Sequence, residues 1–191
     1  GKEGIRRKFV ECARWADDVK FSTDDRPTWH TARWAIVAKD APGNAREAAA
    51  AREGKPAGQA LEALKLAFRT LSNPESNPKE RALALCWAFH IIGDIHQPMH
   101  VSDLFSKDFP TGNVAATTSY VEDPITKKPM PLHVLWDTNA LRVPSLAAVE
   151  SYTKHLLTKH PRSSLPELKA HKVGDPNAFE EWAKESHQVA L

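Results

Sequence analysis

The stretch from Asn77 to Pro98, NPKERALALCWAFHIIGDIHQP, constrains the fold more than any other part of the chain. Asn77 as cap, Pro78 at the first helical position and Glu80 at the third compose a strong helix start, and Pro98 limits the far end. Apolar residues at 82 to 89, 91, 92 and 95 cover every side of this helix, which predicts that it is buried. Yet it carries His90 and Asp94, and His96 and His100 follow directly. An ionised carboxylate in such a place is costly unless an arginine, a hydrogen-bond network or a metal ion compensates it.

His90 and Asp94 are four apart and share one helix face, and His133 and Asp137 in LHVLWD repeat the spacing. Spacing alone is weak, since His171 and Asp175 match it too, in a polar turn that reads as a solvated histidine beside a helix cap. Context separates the first two pairs, which sit among Leu, Ile, Val and Trp. Together with His100 they favour metal binding over a pair of satisfied histidine–aspartate hydrogen bonds. Imidazole nitrogen and carboxylate oxygen without thiolate suit zinc in open catalytic sites. Clustered divalent ions lower the pKa of water and stabilise both oxygens of a phosphoryl displacement, so hydrolysis is the natural chemistry.

The remaining chain reads as mostly helical. Helices are predicted over 3–20, 57–71, 131–141, 144–160 and 176–190, the last opened by Asp175 and Pro176, and REAAAARE reads as a short helix or lid segment. Gly112, Pro110, Pro124, Pro129 and Pro131 make 101–131 a long loop, with a short hairpin at TTSYVEDPITKKPMPLHV. The fold class is therefore all-α, and 191 residues with 41% hydrophobic content suit one domain over 1–191. A net charge of +2 excludes a nucleic-acid scaffold held by bulk charge and leaves room for a local nucleic-acid site. No apolar run approaches the ~20 residues of a membrane span, and no signal peptide is visible. Cys12 and Cys86 form either one bridge or two separate buried thiols, the second being the simpler reading.

In order along the chain, ARWADDVK, TWHTARW, FHIIGDIHQPMHVSDLFSKDFPTGN and PLHVLWD, with FEEWAKES near the end, resemble the motifs of the S1/P1 nuclease family. Its members are trinuclear-zinc single-strand nucleases related to bacterial zinc phospholipase C. The resemblance spans Ala13 to Asp137 and implies a mostly α-helical fold and phosphodiester hydrolysis. Water would attack phosphorus in line, leaving a 5′-phosphate and a 3′-hydroxyl, with 3′-nucleotidase activity alongside. Carried over residue by residue, it makes Asp17, His30, His90 and Asp94 ligands of one zinc and His100, His133 and Asp137 ligands of another. Asp94 would also bridge to a third. Lys20 would face the transferring phosphate, which makes Lys20 and Asp94 the catalytic residues. His96 would hydrogen-bond a ligand, Asp18 would face solvent or cap, and Trp34 or Phe105 would receive an unstacked base.

Three departures from the family pattern define further expectations. The chain starts at Gly1 without the family's leading Trp and nearby His, so it is expected to lack an amino-terminal segment and to hold about two zinc ions rather than three. The loop GNVAAT replaces a glycine-rich loop whose Asn approaches the phosphate, which nominates Thr117 and Asn113 as substrate contacts. Arg33 stands where an acid or amide is common and joins them. The expected partner is single-stranded nucleic acid or nucleotides, the protein a monomer, and the location secreted or periplasmic. A phospholipase C or an inactive zinc-binding relative is the alternative.

Overall fold

The computed structural model describes residues 2–138, 145–165, 175 and 177–191. Its α-helices are α1 (Lys2–Asp18), α2 (Gly43–Ala50), α3 (Ala60–Ser72), α4 (Pro78–Ile95), α5 (Leu132–Thr138), α6 (Leu146–Lys159) and α7 (Ala178–Val189). The described residues also include short 3₁₀ turns and four short strands: β1 (Trp34–Val37), β2 (Ser102–Phe105), β3 (Tyr120–Glu122) and β4 (Pro129–Pro131). The mostly helical expectation holds. The predicted helix residues at 139–141 and 144, and the opening Pro176, lie outside the described residues, as does His171 of the third pair. No described helix is long and apolar enough to cross a membrane.

Helix α4 starts as its sequence dictates. The Asn77 side chain accepts from the Glu80 backbone N–H at 3.0 Å, and the Glu80 carboxylate accepts from the Asn77 N–H at 3.0 Å. These two bonds satisfy donors that a helix start otherwise leaves bare. The helix buries Ala84, Trp87, Ala88, His90, Ile91 and Ile95 and packs on α1 and α3. Burial is not complete around its axis, however. Ala82, Leu85 and Gly93 form one exposed stripe, with Leu85 38% accessible. Alanine and glycine dominate that stripe, and little is lost by leaving them in water.

Two aromatic contacts and one covalent bond fix α1 against α4. Phe9 meets Phe89 at 4.6 Å between centroids, and Trp15 packs edge-on against Trp87 at 6.0 Å. Cys12 and Cys86 are joined in a disulfide, so the reading as separate thiols is corrected. Closing a loop of 74 residues restricts the unfolded chain by on the order of 4 kcal/mol in the chain-entropy account. Periodicity could not reveal the pairing, because each cysteine sits on its helix as an ordinary apolar position.

The 101–131 stretch holds more order than a loop. β3 and β4 form the expected hairpin, with Val121 opposite Met130. β2 was not foreseen: it pairs in parallel with β1, Trp34 opposite Ser102 through Val37 opposite Phe105. Four residues are too short for alternation to register, and parallel strands are paired only through a long connection. Just before this ladder the Ala32 N–H donates to the His100 carbonyl at 3.0 Å. The turn that carries His30 is thereby tied to the turn that carries His100. Gly58 supports the first turn, since its φ is +105° and a Cβ there would lie 2.1 Å from the Thr31 carbonyl oxygen.

Candidate metal centre

Three elements deliver the four side chains of the first group. Asp17 comes from the last turn of α1, His30 from the 3₁₀ turn Pro27–His30, and His90 and Asp94 from successive turns of α4. His90 Nε2 lies 2.9 Å from His30 Nδ1, 3.2 Å from Asp94 Oδ2 and 3.8 Å from Asp17 Oδ1. His30 Nδ1 is 3.1 Å from Asp94 Oδ2. The second group brings His100, from the turn Pro98–Val101, to His133 and Asp137 on α5. Asp137 Oδ1 is 3.5 Å from His100 Nε2 and its Oδ2 is 3.3 Å from His133 Nε2, while the two imidazoles stack at 4.6 Å. In each trio, Asp17, His30 and His90 or His100, His133 and Asp137, one donor atom from every residue falls within 4.8 Å of the others. Asp94 stands between them, its Oδ2 toward the first group and its Oδ1 3.5 Å from His100 Nδ1.

Backbone carbonyls set the imidazole tautomers. His90 Nδ1–H donates to Ala13 O at 2.8 Å, His100 Nδ1–H to His30 O at 2.7 Å and His133 Nδ1–H to Ala115 O at 2.8 Å. A carbonyl can only accept, so in each neutral ring the lone pair is left on Nε2, the atom that faces the carboxylates. His30 Nε2 is buried and has no hydrogen-bond partner among the described residues. Oriented imidazoles, carboxylates on both sides and no thiolate fit a divalent metal such as zinc.

The charges of these groups are interlocked. Burial pushes Asp94 toward neutrality, but hydrogen bonds from His30 and His90 and the charge of His100 prevail and hold it at about 2. Burial likewise opposes the charged forms of His90 and His100, yet Asp94 with Asp17 raises His90, and Asp137 with Asp94 raises His100, above the ordinary imidazole value. His133 is lowered, first by burial and then by the His100 charge. In the metal-free protein the Asp94 contribution to stability is complete above 3.8 and lost as pH falls to about 2. That of His90 and His100 is complete below 6.5 and lost as pH rises through their elevated folded values, with His133 opposing as one group against two. Metal-free protein should therefore be most stable between roughly pH 4 and 6.5. Added zinc should reverse the trend above pH 6.5, because metal and proton compete for the same nitrogens. Urea midpoints across pH, with and without zinc, check both limbs; a metal-free midpoint that rises from pH 6 to 8 would refute the assignment.

The two groups share a cavity of about 660 Å³, which Lys20, Arg33 and Thr117 also line. Lys20 Nζ is 2.9 Å from Asp17 Oδ1. Asp18 instead faces solvent and accepts from Arg14 at 3.0 Å. Asn113, expected as a substrate contact, braces its loop: it is buried, its Oδ1 accepts from Leu104 N–H and its Nδ2 donates to Ser119, and it does not line the cavity. His96 does not support a ligand either, since Nδ1–H donates to Ile92 O of its own helix and the ring lies 5.7 Å from Trp182. Trp34 and Phe105 are also away from the cavity. Phe105 is core, packed with Ala41, Ala45 and Ala49, and Trp34 faces a different pocket. The aromatics at the cavity are Phe21, 99% exposed, and Trp136, 37% exposed.

Two contributors escaped sequence reasoning. Gln97 donates from Nε2 to Asp137 Oδ1 at 2.9 Å, and its position three residues after Asp94 was the available hint. Asp103, almost fully buried, accepts from Arg33 Nε at 2.9 Å, Arg52 at 2.8 Å and the Ala115 N–H at 2.6 Å. It fixes Arg33 on one side and, through Ala115, the carbonyl that orients His133 on the other.

The sequence model of a family described as S1/P1 Nuclease matches residues 2–191. No curated protein matches the chain.

Proposed function

The chain belongs to the S1/P1 nuclease family of zinc-dependent phosphodiesterases, and on that premise we propose that it is an endonuclease cleaving single-stranded DNA or RNA to 5′-phosphate products, with 3′-nucleotidase activity on the same site. The observation that carries this reading is the meeting of two histidine–aspartate groups at Asp94 on the wall of a cavity that also holds Lys20. In this proposal Asp17, His30, His90 and Asp94 hold one zinc and His100, His133 and Asp137 a second, so about two ions bind tightly. Zinc, when bound, supplies Lewis acidity toward the phosphoryl oxygens and lowers the pKa of water.

The chain's own residues supply positioning and fixed charge. Hydrogen bonding to Asp17, with the charges of Asp17, Asp94 and Asp137, raises the Lys20 pKa against its partial burial. Lys20 is thus a permanent cation rather than a base, and it stabilises negative charge that grows on the phosphoryl oxygens. Arg33, held by Asp103, presents a second cation to the cavity. Thr117 donates its hydroxyl to Val114 O at 2.7 Å and so offers lone pairs, which suit a sugar hydroxyl better than a phosphate. Single-strand preference follows from the need to unstack a base before its phosphodiester can reach a recessed centre. We assign the protein to a secreted or periplasmic setting as a monomer; the Cys12–Cys86 bridge supports an oxidising compartment.

Single-stranded DNA, RNA and phosphatidylcholine vesicles, each with zinc-loaded and chelated protein, form the test. Oligonucleotide cleavage to 5′-phosphate ends with intact lipid is expected, and no cleavage by protein carrying both ions would overturn the proposal. Lys20→Ala should retain its zinc and lose turnover by about 10²-fold. Undiminished kcat in that variant would remove Lys20 from the reaction.

A further inference from the structure

A second pocket, of about 470 Å³, opens on β1 away from the metal centre. Its walls combine aliphatic surface from Ala35, Val37 and Ala49 with Trp34, Arg46, Arg52 and Lys55, and no carboxylate lines it among the described residues. The cations are under-neutralised. Arg46 donates to the carbonyls of Ala41 and Lys39, both at 2.9 Å, so its hydrogen bonds bring no negative charge. Arg52 shares the single Asp103 carboxylate with Arg33. Lys55 pairs with Glu53 at 3.2 Å, but both side chains are largely in water, where the pair is weak. At the rim, Lys184 Nζ stands 6.0 Å from the Trp34 centroid; it pairs with Glu180 at 2.7 Å, again between side chains half in water where the pair is weak.

A half-buried indole with aliphatic walls suits a flat aromatic group, and surrounding cations without an acid suit an anion joined to it. We propose that this pocket binds one nucleotide unit of a single-stranded nucleic acid, its base against Trp34 and its phosphate among Arg46, Arg52 and Lys55. The proposal rests on the nuclease reading for its biological sense. Consecutive residues connect the two sites: Arg33 lines the metal cavity and Trp34 the second pocket, and Asp103 ties Arg33 to Arg52 between them. A strand held here adds affinity for long substrates and leaves the chemistry at the metal centre unchanged.

The test uses zinc-loaded protein and two double variants of equal charge change, Lys55→Glu with Lys184→Glu at the pocket and Lys8→Glu with Lys154→Glu elsewhere. Fluorescence polarisation with labelled dodecathymidylate at substoichiometric turnover reads binding, and steady-state cleavage compares that strand with the dinucleotide TpT. The pocket variant should bind the long strand on the order of tenfold more weakly and show a KM raised in proportion, with kcat and all constants for TpT unchanged. Trp34→Leu should give the same pattern if circular dichroism shows it folded. Equal binding by wild type and the pocket variant, or equal weakening by the control variant, would overturn the site. Free 5′-thymidine monophosphate should compete poorly; competition as strong as that of the strand would overturn the strand assignment in favour of a mononucleotide site. Binding is read without cleavage, so an inactive wild type would count against the nuclease reading alone.

Discussion

Asp94→Ala is expected to reduce phosphodiester hydrolysis by about 10³-fold or more and to release more than one equivalent of zinc. Its two oxygens face different groups: Oδ2 lies 3.2 Å from His90 Nε2 and 3.1 Å from His30 Nδ1, and Oδ1 lies 3.5 Å from His100 Nδ1. Loss of any other proposed ligand removes a donor from one group, whereas loss of Asp94 removes the anion that holds three imidazoles toward a common centre. His133→Ala provides the comparison and should release one equivalent, because His100 and Asp137 alone offer too few donors. Metal analysis and single-strand cleavage on both variants check the ranking. Asp94→Ala protein with unchanged zinc would mean that Asp94 is a structural carboxylate neutralised by histidine.

Asp103→Leu should lower unfolding stability by about 3–5 kcal/mol, the range for stranding the partner of a buried ion pair. The carboxylate is only 1% exposed and serves two guanidinium groups and a backbone N–H at once. Removing it leaves Arg33 and Arg52 close together without an anion and leaves the Ala115 N–H unsatisfied. Asp103→Asn keeps an acceptor for Ala115 and should be milder. For a chain of this size the leucine variant should melt about 10 °C lower. The damage should spread to metal retention in the second group, because Ala115 O orients His133. A loss below about 1 kcal/mol would show that the arginines find water instead.

Local signals carried most of what the sequence disclosed. The Asn77–Glu80 box and the i,i+4 pairs on α4 and α5 are confined to single helices, and nothing distant can reverse them. Features that depend on distant partners stayed hidden. Asp103 stands 70 residues from Arg33 and 51 from Arg52, and Cys86 stands 74 from Cys12, with no repeated spacing to join them. Trp34 and Phe105 were misplaced because an aromatic residue near a ligand in sequence can point to either face of a strand. Asn113 was misread for a related reason: a polar residue in a loop can face a substrate or satisfy the loop's own backbone, and here it does the second.

The hydrogen bond from His100 Nδ1 to the His30 carbonyl, with the return bond from Ala32 N–H to the His100 carbonyl, makes the two groups mutually dependent. The His100 ring is aimed by the backbone of the His30 turn, and the return bond holds the two turns together. An ion that fixes His30 also fixes the carbonyl that orients His100, and by thermodynamic linkage an ion at His100 assists His30 to the same degree. Metal uptake should then be cooperative, with half-loaded protein scarce at any zinc concentration. Zinc limitation would divide the population into loaded and empty molecules rather than leave every molecule half-equipped.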